Sequence, residues 1–183
     1  MMATAYTGKY PDAVDGLIVC EPGGLKWDDV VEYVVNSQDF SFWGEILNDA
    51  FFLDQFLTGE ENDHEILDYK FGLLAAENTI TDETTYAPGS FWRQGAVVNS
   101  TLFQLAQENN PDFSTGIENY TKPVLFIYSE LNLVYTDAWA EKISSVYPSV
   151  ELHKIPGVGH DMISLEEGWN ITFPIMIEYF DSL

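Results

Sequence analysis

The chain has 183 residues, long enough to bury one sizeable core, or a core carrying an insertion, without disulfide or metal staples. A hydrophobic share of 46% and an aromatic share of 15% exclude global disorder. Thirty Asp and Glu against seven Lys and Arg give a formal charge of −23, a field that repels phosphate backbones and anionic headgroups and so argues against nucleic acid or a membrane surface as a partner.

The first ten residues, Met1 to Tyr10, suit a short helix that ends around Gly8 and Pro11. Next comes Gly16-Leu17-Ile18-Val19-Cys20-Glu21, an apolar run closed by Pro22-Gly23-Gly24, which predicts a strand buried on both faces as in a parallel sheet. Cys20 is the only cysteine. It can build neither an intrachain disulfide nor a cysteine zinc site, and a buried, inert thiol is the expectation.

From Leu25 to about Thr115 the spacing becomes helical, as in Trp27-Val30-Val31-Val34 and Phe51-Phe52-Gln55-Phe56, with breaks at polar and glycine-containing stretches. This predicts a helical insertion rich in aromatics between strands. Pro123 then leads a second buried strand, Val124 to Glu130, and Asp137 is the expected N-cap of a helix over 138–147 closed by Pro148. A third strand, Val150 to Gly157, precedes the loop Gly157-Val158-Gly159-His160-Asp161-Met162 and a last amphipathic helix from about Leu165 to Phe180. Strand, helix, strand at this spacing means a parallel crossover, and the chain reads as an α/β fold. It divides into core helix and strand (1–24), helical insertion (25–115) and C-terminal α/β core (116–183).

Ligand chemistry in open parallel sheets gathers at the C-terminal strand ends, here Glu21, the stretch Ser129-Glu130-Leu131-Asn132, and the loop ending in His160. A histidine in a glycine-bracketed loop fits a general base, and equally a loop histidine with no chemical role. Glu21 fits a group that binds a substrate amine or positions a water, and equally a cap or surface carboxylate. Trp43 and Trp92 in the insertion suit either the wall of an apolar pocket or the packing of helices onto the core. His64, His153 and His160 lack metal-ligand spacing and no phosphate-binding glycine loop is present, so neither metal nor cofactor is expected. The N-terminus has no export signal and no run approaches the ~20 apolar residues of a membrane span, so the sequence as written fits a cytoplasmic protein.

The segments KPVLFIYSELN and VELHKIPGVGH, with ATAYTGKYPDAVDGLIVCEPGG upstream, resemble the closing section of α/β-hydrolases of the proline-iminopeptidase-like kind. The resemblance covers essentially the whole chain, with the helical insertion standing where such enzymes carry their cap. It implies that His160 is the triad histidine and that Asn132 occupies the position of the triad acid, in a pattern Gly-x-x-Asp that here reads Ser129-Glu130-Leu131-Asn132. An amide can hold the imidazole but cannot stabilise an imidazolium as a carboxylate does, which brings forward Glu130, with Asp137 and Asp161, as alternative acids. Aminopeptidases of this kind recognise a free amine with acidic groups, a role open to Glu21 and to Glu77.

No GxSxG nucleophile elbow occurs, and the resemblance places the start of this chain just after it, so the oxyanion-hole segment is also absent. The expectation is a partial hydrolase of peptide, amide or ester bonds, with a small-molecule or peptide substrate and the serine outside these residues. An inactive remnant or a non-catalytic ligand-binding module is the alternative. The first strand would leave an apolar sheet edge, which invites self-association.

Overall fold

The computed structural model describes residues 1–36, 96–132, 135–159, 162–163 and 166–183. Helix α1 (Met2–Lys9) leads through a 3-10 turn at Pro11–Ala13 to strand β1 (Leu17–Cys20), and α2 (Trp27–Asn36) follows. The chain returns with α3 (Ala96–Asn109), β2 (Val124–Ser129), α4 (Asp137–Ser144), β3 (Val150–Ile155) and α5 (Glu166–Asp181). The three strands form one parallel sheet in the order β1-β2-β3.

The central strand explains this arrangement. All six β2 residues are buried, and because successive side chains point to opposite faces, the strand serves two cores at once. Val124, Phe126 and Tyr128 pack with Leu17, Val19, Tyr135, Trp139 and Ile143. Leu125 and Ile127 pack with Ile155, Val158, Met162 and Tyr179, supported by Ile18, Cys20 and Met176. Helix α4 thus covers one face and α5 the other, the layering that a parallel sheet requires. Each fully buried aliphatic or aromatic side chain contributes about 1.5–3 kcal/mol, so β2 is the natural centre of stability.

Flanking strands are less covered than their sequences suggest. In β1, Leu17 and Val19 are buried while Ile18 and Cys20 are half-buried. In β3 only Ile155 is fully buried, as suits a strand with one neighbour among the described residues. The Tyr179 hydroxyl fixes α5 to the start of the sheet, accepting the Leu17 N–H at 2.9 Å and donating to the Pro123 carbonyl at 2.7 Å. Meanwhile Trp169, Phe173, Ile177 and Phe180 of the same helix are exposed, so α5 carries apolar residues on two faces rather than one.

Two local expectations are corrected. The N-cap of α4 is Thr136, whose Oγ1 accepts the Trp139 N–H at 3.3 Å, and Asp137 is the first helical residue; α4 also ends at Ser144, before Pro148. Gly8 lies inside α1, not at its end. A Cβ there would collide with the Thr115 carbonyl and the backbone of Gly116, so Gly8 is required by the close approach of α1 to the 3-10 turn at Ile117–Asn119.

Candidate active site

Parallel register brings the C-terminal ends of the strands to one edge of the sheet. Cys20 pairs with Ile127 and Ser129 with Ile155, so Glu21 arrives beside the end of β2. Its N–H donates to the Ile127 carbonyl at 3.2 Å, extending the ladder by one residue. The backbone then turns sharply, with Glu21 at φ +37°, in the left-handed region that an L-residue enters at a cost of roughly 1–3 kcal/mol. A glycine would relieve this strain; the sequence places a carboxylate there.

That carboxylate is buried, with 8% of its residue surface exposed. Glu21 Oε1 accepts the Ser129 N–H at 2.7 Å and also the Ser129 hydroxyl. Glu21 Oε2 accepts from Asn132 Nδ2 at 3.2 Å. Asn132, itself buried, turns its Oδ1 to the Tyr135 N–H at 3.0 Å, and the Tyr135 hydroxyl donates to the Pro22 carbonyl at 3.1 Å. These bonds fix the orientation of the Asn132 amide, since only its nitrogen can face a carboxylate and only its oxygen an N–H. Burial, and after it the Glu21 charge, push the neighbouring Cys20 thiol up to about 11, which leaves it a poor nucleophile at neutral pH.

A different junction joins β2 to β3. The Glu130 N–H donates to the Ile155 carbonyl at 2.9 Å and the Leu131 N–H to the Val158 carbonyl at 3.0 Å. Glu130 is exposed, and its Oε2 accepts the Gly157 N–H at 2.9 Å. Gly157 takes φ +68°, the conformation expected of a glycine at this turn. The strand-end loop bearing Glu130 and Asn132 is therefore bonded to the loop that leads into His160.

Of the residues singled out from the sequence, Glu21 and Asn132 are hydrogen-bonded to each other, and Glu130 sits on the adjoining loop. His160, Trp43, Glu77, Trp92 and the alternative acid Asp161 lie outside the described residues. Asp137 is engaged elsewhere: Lys154 at 2.9 Å, and then the Tyr128 hydroxyl at 3.1 Å, hold its carboxyl below the usual range. Ser129 and Tyr135 belong to the cluster although the sequence reading gave them no role. The signal for Ser129 was its place in the pattern, a serine where the hydrolases carry glycine. Among the described residues no group of three or more His, Cys, Asp or Glu side chains could hold a metal ion.

In its whole described architecture the chain is similar to an acetylester hydrolase from Corynebacterium glutamicum, with a TM-score of 0.62, 14% sequence identity and 98% of this chain covered. The fold is that of the α/β-hydrolases. This chain covers 58% of the length of that acetylester hydrolase. An E-2-(acetamidomethylene)succinate hydrolase matches at a TM-score of 0.49 and 15% identity, over 97% of this chain and 62% of its own; the fold assignment rests on the first likeness alone. No family model matches the sequence, and no curated protein matches it.

Proposed function

We propose that these residues form the histidine- and cap-bearing portion of a serine hydrolase acting on a peptide, amide or ester bond, with the nucleophile and oxyanion hole supplied outside the chain. The observation that carries the reading is the docking of two strand-end loops. The Glu130–Asn132 loop is bonded through Leu131 to Val158, two residues before His160, the arrangement needed to bring an acid-side group to a base. In this reading His160 takes the proton of the attacking serine and returns it to the leaving group, and Asn132, at the acid's position, holds the imidazole.

The proline-iminopeptidase-like character rests on sequence resemblance, with Glu77 and Glu21 as amine-recognising carboxylates. Both oxygens of Glu21 already accept hydrogen bonds, which favours Glu77 for that role. Trp43 and Trp92 would wall the substrate pocket. Self-association through β1, which has a strand neighbour on one side only among the described residues, belongs to the same proposal. A clean monomer by light scattering at high concentration would count against it.

The test is direct. The 183-residue chain alone should show no labelling by a fluorophosphonate probe and no turnover of proline or alanine p-nitroanilides. A polypeptide that also contains an in-frame GxSxG segment upstream should show both and lose turnover on His160→Gln. Stoichiometric labelling of the chain by itself would overturn the reading. A non-catalytic binding module is favoured by one observation, the joint presence of Ser129 and Asn132 where the hydrolases carry glycine and aspartate; an upstream elbow with its serine replaced would decide for it.

A further inference from the structure

The geometry points to Lys142 as a charged strap: its ammonium holds α2 against α4 beyond the first turn, so that α2 is a helix hinged at its root, docked through charge more than through burial and released by salt. The inference does not depend on the hydrolase reading.

Backbone fixes the root of α2. The Phe113 N–H donates to the Leu25 carbonyl at 2.8 Å, Lys26 and Asp112 form an antiparallel bridge, and Lys26 Nζ lies 3.7 Å from Asp112 Oδ2. Leu25 itself is buried in the core that β2 shares with α4. Gly24 admits no side chain, since a Cβ there would lie 2.7 Å from Asp29 Cβ and 2.8 Å from the Val30 nitrogen. The Lys26 N–H donates to Asp29 Oδ2 at 3.2 Å, and the Val30 N–H to the Lys26 carbonyl at 3.1 Å. The first turn is thus set by its own root.

Beyond it, burial holds little. Of Trp27 to Glu32, the α2 residues whose side chains are described, none is buried: Trp27, Asp29 and Val30 are half-buried, and Asp28, Val31 and Glu32 are exposed. Apolar burial stabilises in proportion to the area removed from water, so this stretch gains far less from it than β2 does. Lys142 reaches across from α4. Its Nζ donates to Glu32 Oε2 at 2.7 Å, lies 3.2 Å from Asp29 Oδ1 and sits 4.5 Å from the centroid of the Trp139 ring. Asp29 and Glu32 are three residues apart, neighbours on one helix face, where like charges repel. One ammonium between them turns that repulsion into two attractions, and both carboxylates, Glu32 first, hold the Lys142 ammonium above its usual range. Asp29 also joins strap to root, with one oxygen on the Lys26 N–H and the other on Lys142.

Salt is the natural release. The Lys142 and Glu32 side chains are 40% and 51% exposed, and exposed charges are screened as the Debye length falls from about 30 Å at 0.01 M salt to about 3 Å at 1 M. In a chain of net charge −23, removing this cation does more than delete an attraction. It leaves two neighbouring anions facing an acidic surround.

Hydrogen exchange of the full chain reads the strap, with fragments covering α2 followed at low salt and at about 1 M NaCl, and β2 as the report of global opening. In the wild type α2 should exchange about three- to tenfold faster at high salt. Lys142→Met should exchange that fast already at low salt, and there added salt should slow α2 or leave it unchanged, because only repulsion remains to be screened. Lys142→Arg should stay within about twofold of the wild type, since the charge is kept. An α2 rate unmoved by Lys142→Met at low salt would show the helix to be held by its half-buried contacts, and overturns the inference. An equal acceleration by salt in the wild type and Lys142→Met overturns it too, for the response is then not local to the strap. Should Lys142→Met fail to fold, the reversed pair Lys142→Glu with Glu32→Lys restores an ion pair between the helices. Slower α2 exchange in that double variant than in Lys142→Glu alone supports the strap, and equal exchange overturns it.

Discussion

The two junctions at the C-terminal edge of the sheet are built in opposite ways. Between β1 and β2 the closure is by side chains, a buried chain of bonds from Pro22 through Tyr135 and Asn132 to Glu21 and Ser129. Between β2 and β3 it is by backbone, two N–H to carbonyl bonds with one exposed carboxylate added. Residue identity should therefore matter greatly at the first junction and little at the second. The turn after β3 can be held by almost any sequence that makes it, whereas the junction between Glu21 and Asn132 needs these particular side chains.

The strongest way to break this contrast is Glu21→Ala. It leaves the Ser129 N–H and Asn132 Nδ2 buried without their shared acceptor, and the expected loss is about 2–4 kcal/mol of stability in urea denaturation. A loss under about 0.5 kcal/mol would mean that the carboxylate does not close the junction. Reactivity at Cys20 probes the same charge from the other side. With the thiol raised from 9.0 to about 11, its thiolate at pH 8 should be roughly a hundredfold scarcer than that of an ordinary thiol. The sign is fixed by the cause: burial and Glu21 both disfavour the anion. Reaction with a disulfide reagent should accordingly be slow in the native chain, fast in urea, and partly restored in Glu21→Gln.

What could be read from the sequence divides along the same line. The five-residue apolar run Val124 to Tyr128 of β2 announced a fully buried strand, because each of its faces needs an apolar partner. The three strands, their order along the chain and their parallel sense followed from run length and from the α4 crossover. The cap of α4 was misplaced by one residue, since Thr136 and Asp137 are both good caps and only the backbone conformation chooses between them. Gly8 was read as a stop because a packing requirement from a turn 108 residues away leaves no local pattern. At the site, Glu21, Glu130 and Asn132 were visible as residues at strand ends. That Glu21 and Asn132 meet was not, because the meeting depends on the register of β1 against β2 and on a left-handed turn at a non-glycine residue.

A gentler change sharpens the contrast within the first junction. Tyr135→Phe removes one hydroxyl from the buried chain and leaves the Pro22 carbonyl without its donor, with packing otherwise kept. The expected loss is about 1 kcal/mol, read as a lowered urea midpoint at unchanged slope. A loss exceeding that of Glu21→Ala would place more of the junction's strength at Tyr135 than at Glu21.

The smallest effect is expected at Glu130, and its smallness is informative. Glu130→Gln keeps the backbone bonds from residues 130 and 131 to Ile155 and Val158, and its amide oxygen can still accept the Gly157 N–H. Only the exposed charge is lost, so stability should change by less than about 0.5 kcal/mol. If Glu130 were instead the acid of a hydrolase, this nearly silent change in stability would accompany a large loss of turnover in a polypeptide carrying the nucleophile. If the charge lies at Glu21, turnover should fall far more in Glu21→Gln than in Glu130→Gln. Comparing those two variants in the same background decides which strand end holds the working carboxylate, because the two residues differ in burial while their loops share one edge of the sheet.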